Sequence, residues 1–331
     1  MSKALSLATL ILIGGRALGE PPADPVSREQ AMKATLAAID QELKDHGGSF
    51  ENWGNSIKPY RDAVRKVLAT EKWPWPAKSN FAFQGAEVNL LMLDTLEGQS
   101  KRAVDVILDT HKKLKAEGID LIFVPLPDKL QIYPDYLSDA APADRMVAPA
   151  VKHLMKKLLE NDVECVDLYP AFHAFRKRNE DKPLYYDRDS HWNNLAAQIA
   201  GEQIAGRLLR YDFVKKAMAE EKRYSTKPEY RRDKPDQLLV VLDARTGGRY
   251  ADAGNSPILI TGDSALMMNL PPRSAHMPAH IGLHINMPLA FGSNTIPPEH
   301  FGKLSGKRVV IWANMARMLP TCGWPTRSKT K

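Results

Sequence analysis

Hydrophobic residues recur at helical spacing in the N-terminal part of the chain. After Ser27-Arg-Glu-Gln30, which is typical of a helix start, apolar positions from Met32 to Leu43 stand three or four apart until Gly47-Gly48 interrupts them. A second helix is predicted over residues 58–71, before the Trp and Pro residues of 73–76. Residues 20–79 are therefore predicted to form a helical extension that packs against the rest of the molecule.

From Ser100 onward, helical segments alternate with short apolar runs that are typical of buried strands. Strands are predicted at residues 119–125, 163–168, 237–242, 257–261 and 307–313, and helices at 100–118, 146–160, 171–176 and 194–210. This alternation is typical of a parallel sheet covered by helices on both faces. We therefore predict an α/β fold over residues 80–331, with a central parallel sheet flanked by helices.

The first 19 residues have the pattern of a secretory signal peptide. Lys3 gives a basic start, residues 4–13 are mostly apolar, and Ala17-Leu-Gly19 is a small-x-small site. We expect cleavage after Gly19 and a periplasmic or secreted mature protein. The apolar segment is short for a bilayer span, and an uncleaved membrane anchor is the alternative.

Composition and charge exclude fewer classes of function than the hydrophobic pattern does. The 331 residues are 44% apolar and 26% charged, which is ordinary for a folded protein. The net charge of +7 is spread along the chain, without the interleaved aromatic residues or the module of a nucleic-acid binder, so no nucleic-acid partner is expected. A basic surface suits anionic polymers, although the same excess can serve only solubility.

The two cysteines, Cys165 and Cys322, would meet an oxidising compartment if the protein is exported. A disulfide that ties the last segment to the domain is one possibility. The other is a buried thiol and a second thiol near the tail.

One apolar run ends in residues suited to nucleophilic catalysis. In Pro257-Ile-Leu-Ile-Thr-Gly-Asp-Ser264, a strand runs into a sharp turn, which would expose a serine hydroxyl at the carboxyl edge of the sheet. A serine needs a histidine to take its proton and a carboxylate to orient that histidine. Asp189-Ser-His191 supplies such a pair, because residues two apart can face each other across a turn.

The residues after His191 extend this hypothesis. Trp192 is expected to shield one side of the site or to stack on a sugar. Asn193 or Asn194 is expected to cap the helix that follows.

Gly262-Asp-Ser264 resembles the first motif of the GDSL/SGNH hydrolases, in which the Asp and His of the triad normally follow the serine. Here Asp189-x-His191 precedes it, and this permuted order resembles the alginate O-acetyltransferase family of periplasmic SGNH-like proteins. Residues 123–129 with Tyr133-Pro-Asp135 are similar to that family's strand, Pro and Lys loop and Tyr-Pro segment, and residues 309–312 to its closing strand. The resemblance covers roughly residues 80–320.

The resemblance implies that Ser264 is the nucleophile, that His191 is the general base and acid, and that Asp189 orients the histidine. The oxyanion needs at least two donors, and the backbone amide of Ser264 is the first expected one. Gly292 is a candidate for the second, with Asn294 as a side-chain alternative. The alternative is that Gly292 only makes a turn.

Three further residues are candidates for substrate binding. Lys129 and Tyr133 follow a predicted strand, where ligands of α/β sheets usually bind. Lys129 is expected either to hold a carboxylate or hydroxyl of a uronate-like polymer or to stand at a loop tip. Arg273 is a basic neighbour of the nucleophile motif and is open to the same two interpretations.

His276, His280 and His284 are spaced by four and invite a metal-site hypothesis. Pro278 and Gly282 interrupt the stretch, and it lacks a nearby cluster of carboxylates. We therefore expect no metal site and no cofactor.

The function that the resemblance implies is transfer of an acetyl group, through an acyl-serine, onto hydroxyls of an alginate-like exopolysaccharide. It also implies a polysaccharide acceptor and a membrane-bound O-acyltransferase that supplies the acetyl group. An acetyl esterase with the same triad is one alternative, because water access and acceptor binding alone separate the two reactions. A non-catalytic polysaccharide-binding or assembly protein is the other.

Overall fold

A computed structural model describes residues 12–13, 16–17, 26–71, 78, 81–143, 145–230, 237–268, 275–293 and 304–320 of the chain. Its helices are α1 (Arg28–Asp45), α2 (Phe50–Ser56), α3 (Lys58–Thr70), α4 (Gly85–Leu91), α5 (Arg102–Ala116), α6 (Lys129–Ile132), α7 (Pro134–Leu137), α8 (Pro149–Glu160), α9 (Tyr169–Arg178), α10 (Asn194–Leu208), α11 (Asp212–Ala219), α12 (Ser264–Met267) and α13 (Met277–Ile285). Its strands are β1 (Leu12–Ile13), β2 (Arg16–Ala17), β3 (Asp120–Leu126), β4 (Glu164–Cys165), β5 (Tyr224–Tyr230), β6 (Gln237–Asp243), β7 (Ile258–Gly262), β8 (Ala290–Ser293) and β9 (Val309–Met315).

The centre of the molecule is a five-stranded sheet with the order β4-β3-β9-β7-β8, in which every neighbouring pair is parallel. All residues of β7 and β9 are buried, and so are those of β3 after Asp120, as expected for a sheet covered on both faces. The predicted α/β fold is therefore confirmed. The carboxyl ends of β3, β7 and β9 lie at one edge of the sheet, where the candidate residues follow them.

The N-terminal helices share the hydrophobic core of the sheet. Helix α1 begins with the predicted capping box between Ser27 and Gln30 and packs against α8 and β4, while α2 packs against α8. Ile39 of α1 and Trp53 of α2 are fully buried in the same cluster as the central strands, and the indole N–H of Trp53 donates to the carbonyl of Met146 at 3.1 Å. The division between residues 20–79 and 80–331 stays a prediction.

One predicted strand belongs to a different sheet. The apolar run at 237–242 is part of β6, but β6 pairs antiparallel with β5 in a hairpin of its own. Strand β5 was missed because residues 225–228 are polar or proline and face solvent, so the segment has no hydrophobic pattern.

Helix α13 and strand β8 were also missed. Pro278 argued against a helix here, but it lies in the first turn of α13, where a helix needs no backbone N–H from that residue. Strand β8 has only four residues and adds to β7 at the edge of the sheet.

Three sequence expectations concern the ends of the chain. Of the predicted signal segment, the structure describes only β1 and β2, which pair antiparallel, and the rest lies outside the described residues. Cys165 is a free thiol in the core, where burial raises its pKa, and Cys322 lies outside the described residues. Among the described helices, we find none with the length and apolar character that a membrane crossing requires.

Candidate active site

The nucleophile turn is built where β7 meets β9. A Cβ atom at Gly262 would lie 1.7 Å from the carbonyl oxygen of Ala313, so only glycine allows this approach. The next residue, Asp263, accepts the backbone N–H of Ala265 at 2.9 Å and that of Met315 at 2.7 Å. Burial raises the pKa of the Asp263 carboxyl, and the two N–H donors act against that rise. This carboxylate thus ties the turn to the end of β9 and leaves Ser264 exposed.

A short loop presents the other two candidate residues. Its two sides meet in an antiparallel bridge between Tyr185 and Trp192, and the backbone N–H of Tyr186 donates to the carbonyl of His191 at 3.2 Å. Asn193 accepts two backbone N–H groups in the first turn of α10, which confirms the predicted cap. The loop is therefore anchored to the start of a helix on one side of His191.

The loop brings the predicted triad together. The Nε2 atom of His191 lies 2.7 Å from the Oγ of Ser264, and its Nδ1 atom lies 2.6 Å from the Oδ1 of Asp189. The same Asp189 oxygen also accepts the backbone N–H of His191 at 3.0 Å. These distances allow a histidine that keeps its proton on Nδ1 to accept the serine proton on Nε2.

Lys129 lies beneath this loop and does not face a ligand. Its side chain is fully buried, and its ammonium group donates to the carbonyls of Ala82 at 3.1 Å, Tyr186 at 2.5 Å, Asp187 at 2.9 Å and Asp189 at 2.7 Å. The expectation that Lys129 binds a uronate was wrong, because four carbonyl oxygens already surround its charge. Lys129 instead positions the backbone of the loop that carries Asp189.

A buried ion pair supports the same loop from the side of β9. The guanidinium group of Arg317, just after β9, donates to the carboxylate of Asp128 at 3.0 Å and to the hydroxyl of Ser190 at 3.3 Å. Glu87 lies close to this ion pair and accepts the backbone N–H of Leu130 at 2.9 Å. We call Lys129, Asp128, Arg317 and Glu87 together the charged layer. The end of β9 therefore contacts both halves of the site, through Met315 at the nucleophile turn and through Arg317 at the triad loop.

Burial dominates the electrostatics of this layer. It raises the pKa of Glu87 and holds that of Asp128 well above its usual value, and it lowers the pKa of Lys129 to about 8. Each shift disfavours the charged form, as desolvation does. Neighbouring groups of opposite charge oppose all three pKa shifts. Each group therefore stabilises the charged form of its oppositely charged neighbours.

Two other residues proposed as substrate contacts are also buried. The ring of Tyr133 is 2% exposed, and its hydroxyl accepts the backbone N–H of Leu184 at 3.0 Å. The indole of Trp192 is fully buried and donates to the carbonyl of Ala265 at 3.0 Å. The prediction that Tyr133 contacts the substrate and the alternative that Trp192 stacks on a sugar were therefore wrong, whereas a shielding role of Trp192 stays a prediction. Trp192 connects the triad loop to α12, just after Ser264.

The remaining candidates are only partly placed. Gly292 lies near the end of β8, opposite Thr261 in the register of the sheet and so at the same edge as Ser264. Its part in an oxyanion hole stays a prediction. Asn294 and Arg273 lie outside the described residues.

Of the two histidines of α13, His280 lies in the core and His284 is partly buried. His280 is fully buried, with its Nε2 atom 2.9 Å from the side-chain amide of Asn194, and burial lowers its pKa to about 3. Burial also lowers the pKa of His284 to about 4. Within the described parts of the chain, no group of three or more His, Cys, Asp or Glu side chains is arranged to hold a metal ion.

Sequence reasoning missed Arg317, Asp128 and Glu87. Asp128 and Arg317 each follow an apolar strand, at the carboxyl edge of the sheet where ligands usually bind. This position was the sequence feature that could have indicated them. Nothing in their spacing indicates that they would pair, because they are 189 residues apart.

Comparison with known proteins identifies the family of this chain and finds structures with a similar fold. Residues 84–255 match the family model described as an SGNH hydrolase-like domain of the acetyltransferase AlgX. A curated relative, the probable alginate O-acetylase AlgJ of Pseudomonas fluorescens, is 28% identical over 95 residues, which are 29% of this chain and only 23% of the relative.

Two solved structures have a similar fold. The O-acetyltransferase domain of Pseudomonas putida AlgJ is 16% identical, with 73% of this chain and 87% of that domain covered at a TM-score of 0.50. Pseudomonas aeruginosa AlgX is 13% identical, with 79% of this chain and 68% of AlgX covered, also at 0.50. With the family model matching more than half of its length, the chain belongs to the AlgX-type family of SGNH hydrolase-like acetyltransferase domains.

Proposed function

We propose that this protein transfers acetyl groups, through an acyl-serine intermediate, to hydroxyl groups of an alginate-like exopolysaccharide. The observation that carries the proposal is the hydrogen-bonded series from Asp189 through His191 to an exposed Ser264, with both distances below 3 Å. A vestigial site in a binding or assembly protein would have no reason to keep this geometry. The acetyl group and the acceptor class come from the family and from the names of its relatives.

In the proposed first half-reaction, Ser264 Oγ attacks the carbonyl carbon of an acetyl ester while His191 Nε2 takes the hydroxyl proton. The tetrahedral intermediate collapses, the ester bond breaks, and the same proton passes to the leaving alcohol. In the second half-reaction, an acceptor hydroxyl gives its proton to His191 and attacks the acetyl-serine, and the proton then returns to Ser264. Asp189 stabilises the imidazolium ion that forms in both halves.

The oxyanion is proposed to accept the backbone N–H of Ser264 and, as a second donor, that of Gly292. The N–H of Ala265 is not a candidate, because the Asp263 carboxylate already accepts it. Gly292 is proposed because β8 ends beside the nucleophile turn. Loss of a single oxyanion donor typically costs about 10²- to 10³-fold in kcat.

An acetyl esterase remains the second candidate function, since the triad is exposed and water can take the place of the acceptor. We further propose that residues 1–19 direct export and that the protein works in the periplasm or outside the cell. A membrane-bound O-acyltransferase would supply the acetyl group there. The basic composition supports an acidic acceptor.

The test is mass spectrometry of a uronate oligosaccharide incubated with the mature protein and an activated acetyl ester. We expect acetylated sugar with the wild-type protein and a loss of roughly 10⁴- to 10⁶-fold in rate with Ser264→Ala. Release of acetate without sugar acetylation would favour the esterase. Equal donor consumption by wild type and Ser264→Ala would overturn the catalytic proposal.

A further inference from the structure

The β5–β6 hairpin carries the one aromatic side chain that is exposed in the described parts of the chain. Tyr230, the last residue of β5, is 79% exposed, and the side chain of Gln237, opposite it on β6, donates to its hydroxyl at 3.4 Å. Pro228 lies two residues before Tyr230 and so faces the same side, and Leu239 lies directly opposite Pro228. Pro228 is exposed and Leu239 is half-buried. We call the apolar surface of Pro228, Tyr230 and Leu239 the hairpin strip.

The same face of the hairpin is buried at its base. Tyr224 and Val241 pack there in a small core cluster with Tyr250 and with Ala279 of α13. This packing holds the hairpin against the body of the molecule, as a pair of strands requires, because an isolated hairpin is only marginally stable in water. It makes no use of the ring of Tyr230.

The tip of the hairpin lies at the N-terminal end of α13. Next to the base, the backbone N–H of Arg223 donates to the side chain of Asn286, which follows the C-terminal end of α13, at 2.6 Å. Closer to the tip, Leu238 and Val240 pack against Ala275, which precedes α13. The hairpin therefore runs along α13 from its C-terminal end to its N-terminal end.

A hydrogen bond near the tip connects the hairpin to the helix that follows the triad loop. The backbone N–H of Leu239 donates to the side chain of Asn194 at 2.8 Å, and Asn194 begins α10, three residues after His191. Three residues span at most about 10 Å, and Tyr230 lies roughly 8 Å from Leu239, two residues along and one strand across. Since His191 contacts Ser264 Oγ at 2.7 Å, the ring of Tyr230 lies within about 30 Å of the nucleophile. A polysaccharide several units long can reach both.

The size and the edge of the hairpin strip favour a sugar chain over a protein. A stable protein interface buries roughly 800 Å² on each partner, whereas this strip offers one ring, one proline and part of one leucine. Because Leu239 directs its N–H away from β5, its partner Pro228 directs its backbone away from β6, and a proline has no N–H to offer a further strand. The flat ring of a tyrosine, with a hydroxyl at its edge, suits a polyhydroxylated ring that packs its C–H groups and keeps its hydroxyls in water.

We propose that the hairpin strip binds the acceptor polysaccharide, with Tyr230 packed against a sugar ring several units away from the one presented to Ser264. The inference rests on the proposed function for the class of acceptor. It gives the protein an exposed contact for a polymer, which Tyr133, Trp192 and Lys129 cannot provide because they are buried. A contact so far from the reacting atoms should act on the binding of the acceptor and not on the chemical step.

The test measures binding of a uronate decasaccharide by calorimetry in the Ser264→Ala background, which prevents turnover. Tyr230→Ala should weaken binding about five- to tenfold, and Tyr230→Phe, which keeps the aromatic face, should stay within about twofold. The matched control is Met218→Ala, which should change binding less than about twofold. Met218 is also an exposed apolar residue, but it lies on α11, next to the C-terminal end of α13, where Asn286 donates to the carbonyl of Ala217.

A second measurement separates a binding role from a structural one. In protein that keeps Ser264, Tyr230→Ala should raise the KM for the decasaccharide about five- to tenfold and leave the kcat of acetylation within about twofold. A fall in kcat with an unchanged KM would contradict the inference.

Three further outcomes would overturn it. These are unchanged binding in Tyr230→Ala, an equal loss in Met218→Ala or Tyr230→Phe, and a wild-type dimer in sedimentation that Tyr230→Ala dissociates without any change in sugar binding, which would make the strip a contact with a second copy of this chain. The proposed function fails separately, if Ser264→Ala consumes the acetyl donor as fast as wild type does. Ser264-dependent acetylation with binding that ignores Tyr230 would remove only the hairpin proposal, and the reverse result would remove only the catalytic one.

Discussion

The triad and the charged layer beneath it differ in solvent exposure. The side chains of Asp189 and His191 are 38% and 22% exposed and Ser264 faces solvent, whereas Lys129, Asp128 and Arg317 are at most 6% exposed. The exposed residues are positioned to react, and the buried ones fix the backbone from which they project. We therefore expect the two groups to respond to substitution in opposite ways: the triad in rate and the layer in stability.

Among the variants discussed here, Asp189→Asn should combine the largest loss of catalytic rate with a small change in stability. The amide keeps an oxygen for the backbone N–H of His191 but no longer favours the proton on Nδ1, so kcat should fall about 10⁴-fold. The unfolding free energy should change by less than about 1 kcal/mol. Ester hydrolysis and urea unfolding measure the two quantities.

The control for this variant is Asp187→Asn on the same loop, whose exposed side chain lies outside the triad. It should stay within about twofold of the wild-type rate. A comparable loss in both variants would mean that the loop charge matters and the hydrogen bond to His191 does not.

Arg317→Met should produce the reverse pattern. It leaves the carboxylate of Asp128 buried without its cation, and such a loss typically costs about 3–5 kcal/mol of unfolding free energy. Urea unfolding should show a lower midpoint, while the exposed Arg178→Met stays within about 0.5 kcal/mol of wild type. The double variant Asp128→Asn with Arg317→Met should recover part of the loss, because the carboxylate that Arg317 contacted is then removed as well. A double variant less stable than Arg317→Met would contradict this account.

Lys129 should make the activity sensitive to alkaline pH. An ammonium group has three N–H donors and a neutral amine has two, so loss of its proton removes a donor from the loop carbonyls. Because burial lowers the pKa of Lys129 to about 8, kcat/KM should fall as the pH rises through 8, by at most about tenfold per pH unit. In Lys129→Arg the guanidinium stays charged, and this alkaline limb should move to higher pH.

Stability should not follow activity in that pH range. Between about pH 8 and 10.4, the usual pKa of an unfolded lysine, the folded chain binds fewer protons at Lys129 than the unfolded chain. The contribution of this group to the unfolding free energy therefore rises with pH there. An identical alkaline limb in wild type and Lys129→Arg would show that another group titrates.

The contrast between the triad and the charged layer also explains which features could be predicted from the sequence. The proximity of Ser264, His191 and Asp189 was predictable because each lies in a short motif whose chemistry needs neighbouring residue types. Lys129 was noticed but misjudged, since a lysine after a strand has the same local sequence whether it faces a ligand or four carbonyls. Arg317 and Asp128 act through a contact across 189 residues, and no local pattern encodes such a pair.

Trp192→Phe should give the smallest of these effects and decides between two roles for this ring. The indole N–H donates to the carbonyl of Ala265 from a fully buried position, so phenylalanine leaves that carbonyl without its partner and opens a small gap. We expect a loss of about 1–2 kcal/mol in unfolding free energy and a modest fall in kcat, because the carbonyl belongs to the turn after Ser264. A ring that stacks on sugar would behave differently: the KM for the oligosaccharide would rise while the melting temperature stayed constant. Titration of the acceptor together with a thermal melt separates these results, and an effect on KM alone would mean that Trp192 leaves its buried position to meet the substrate.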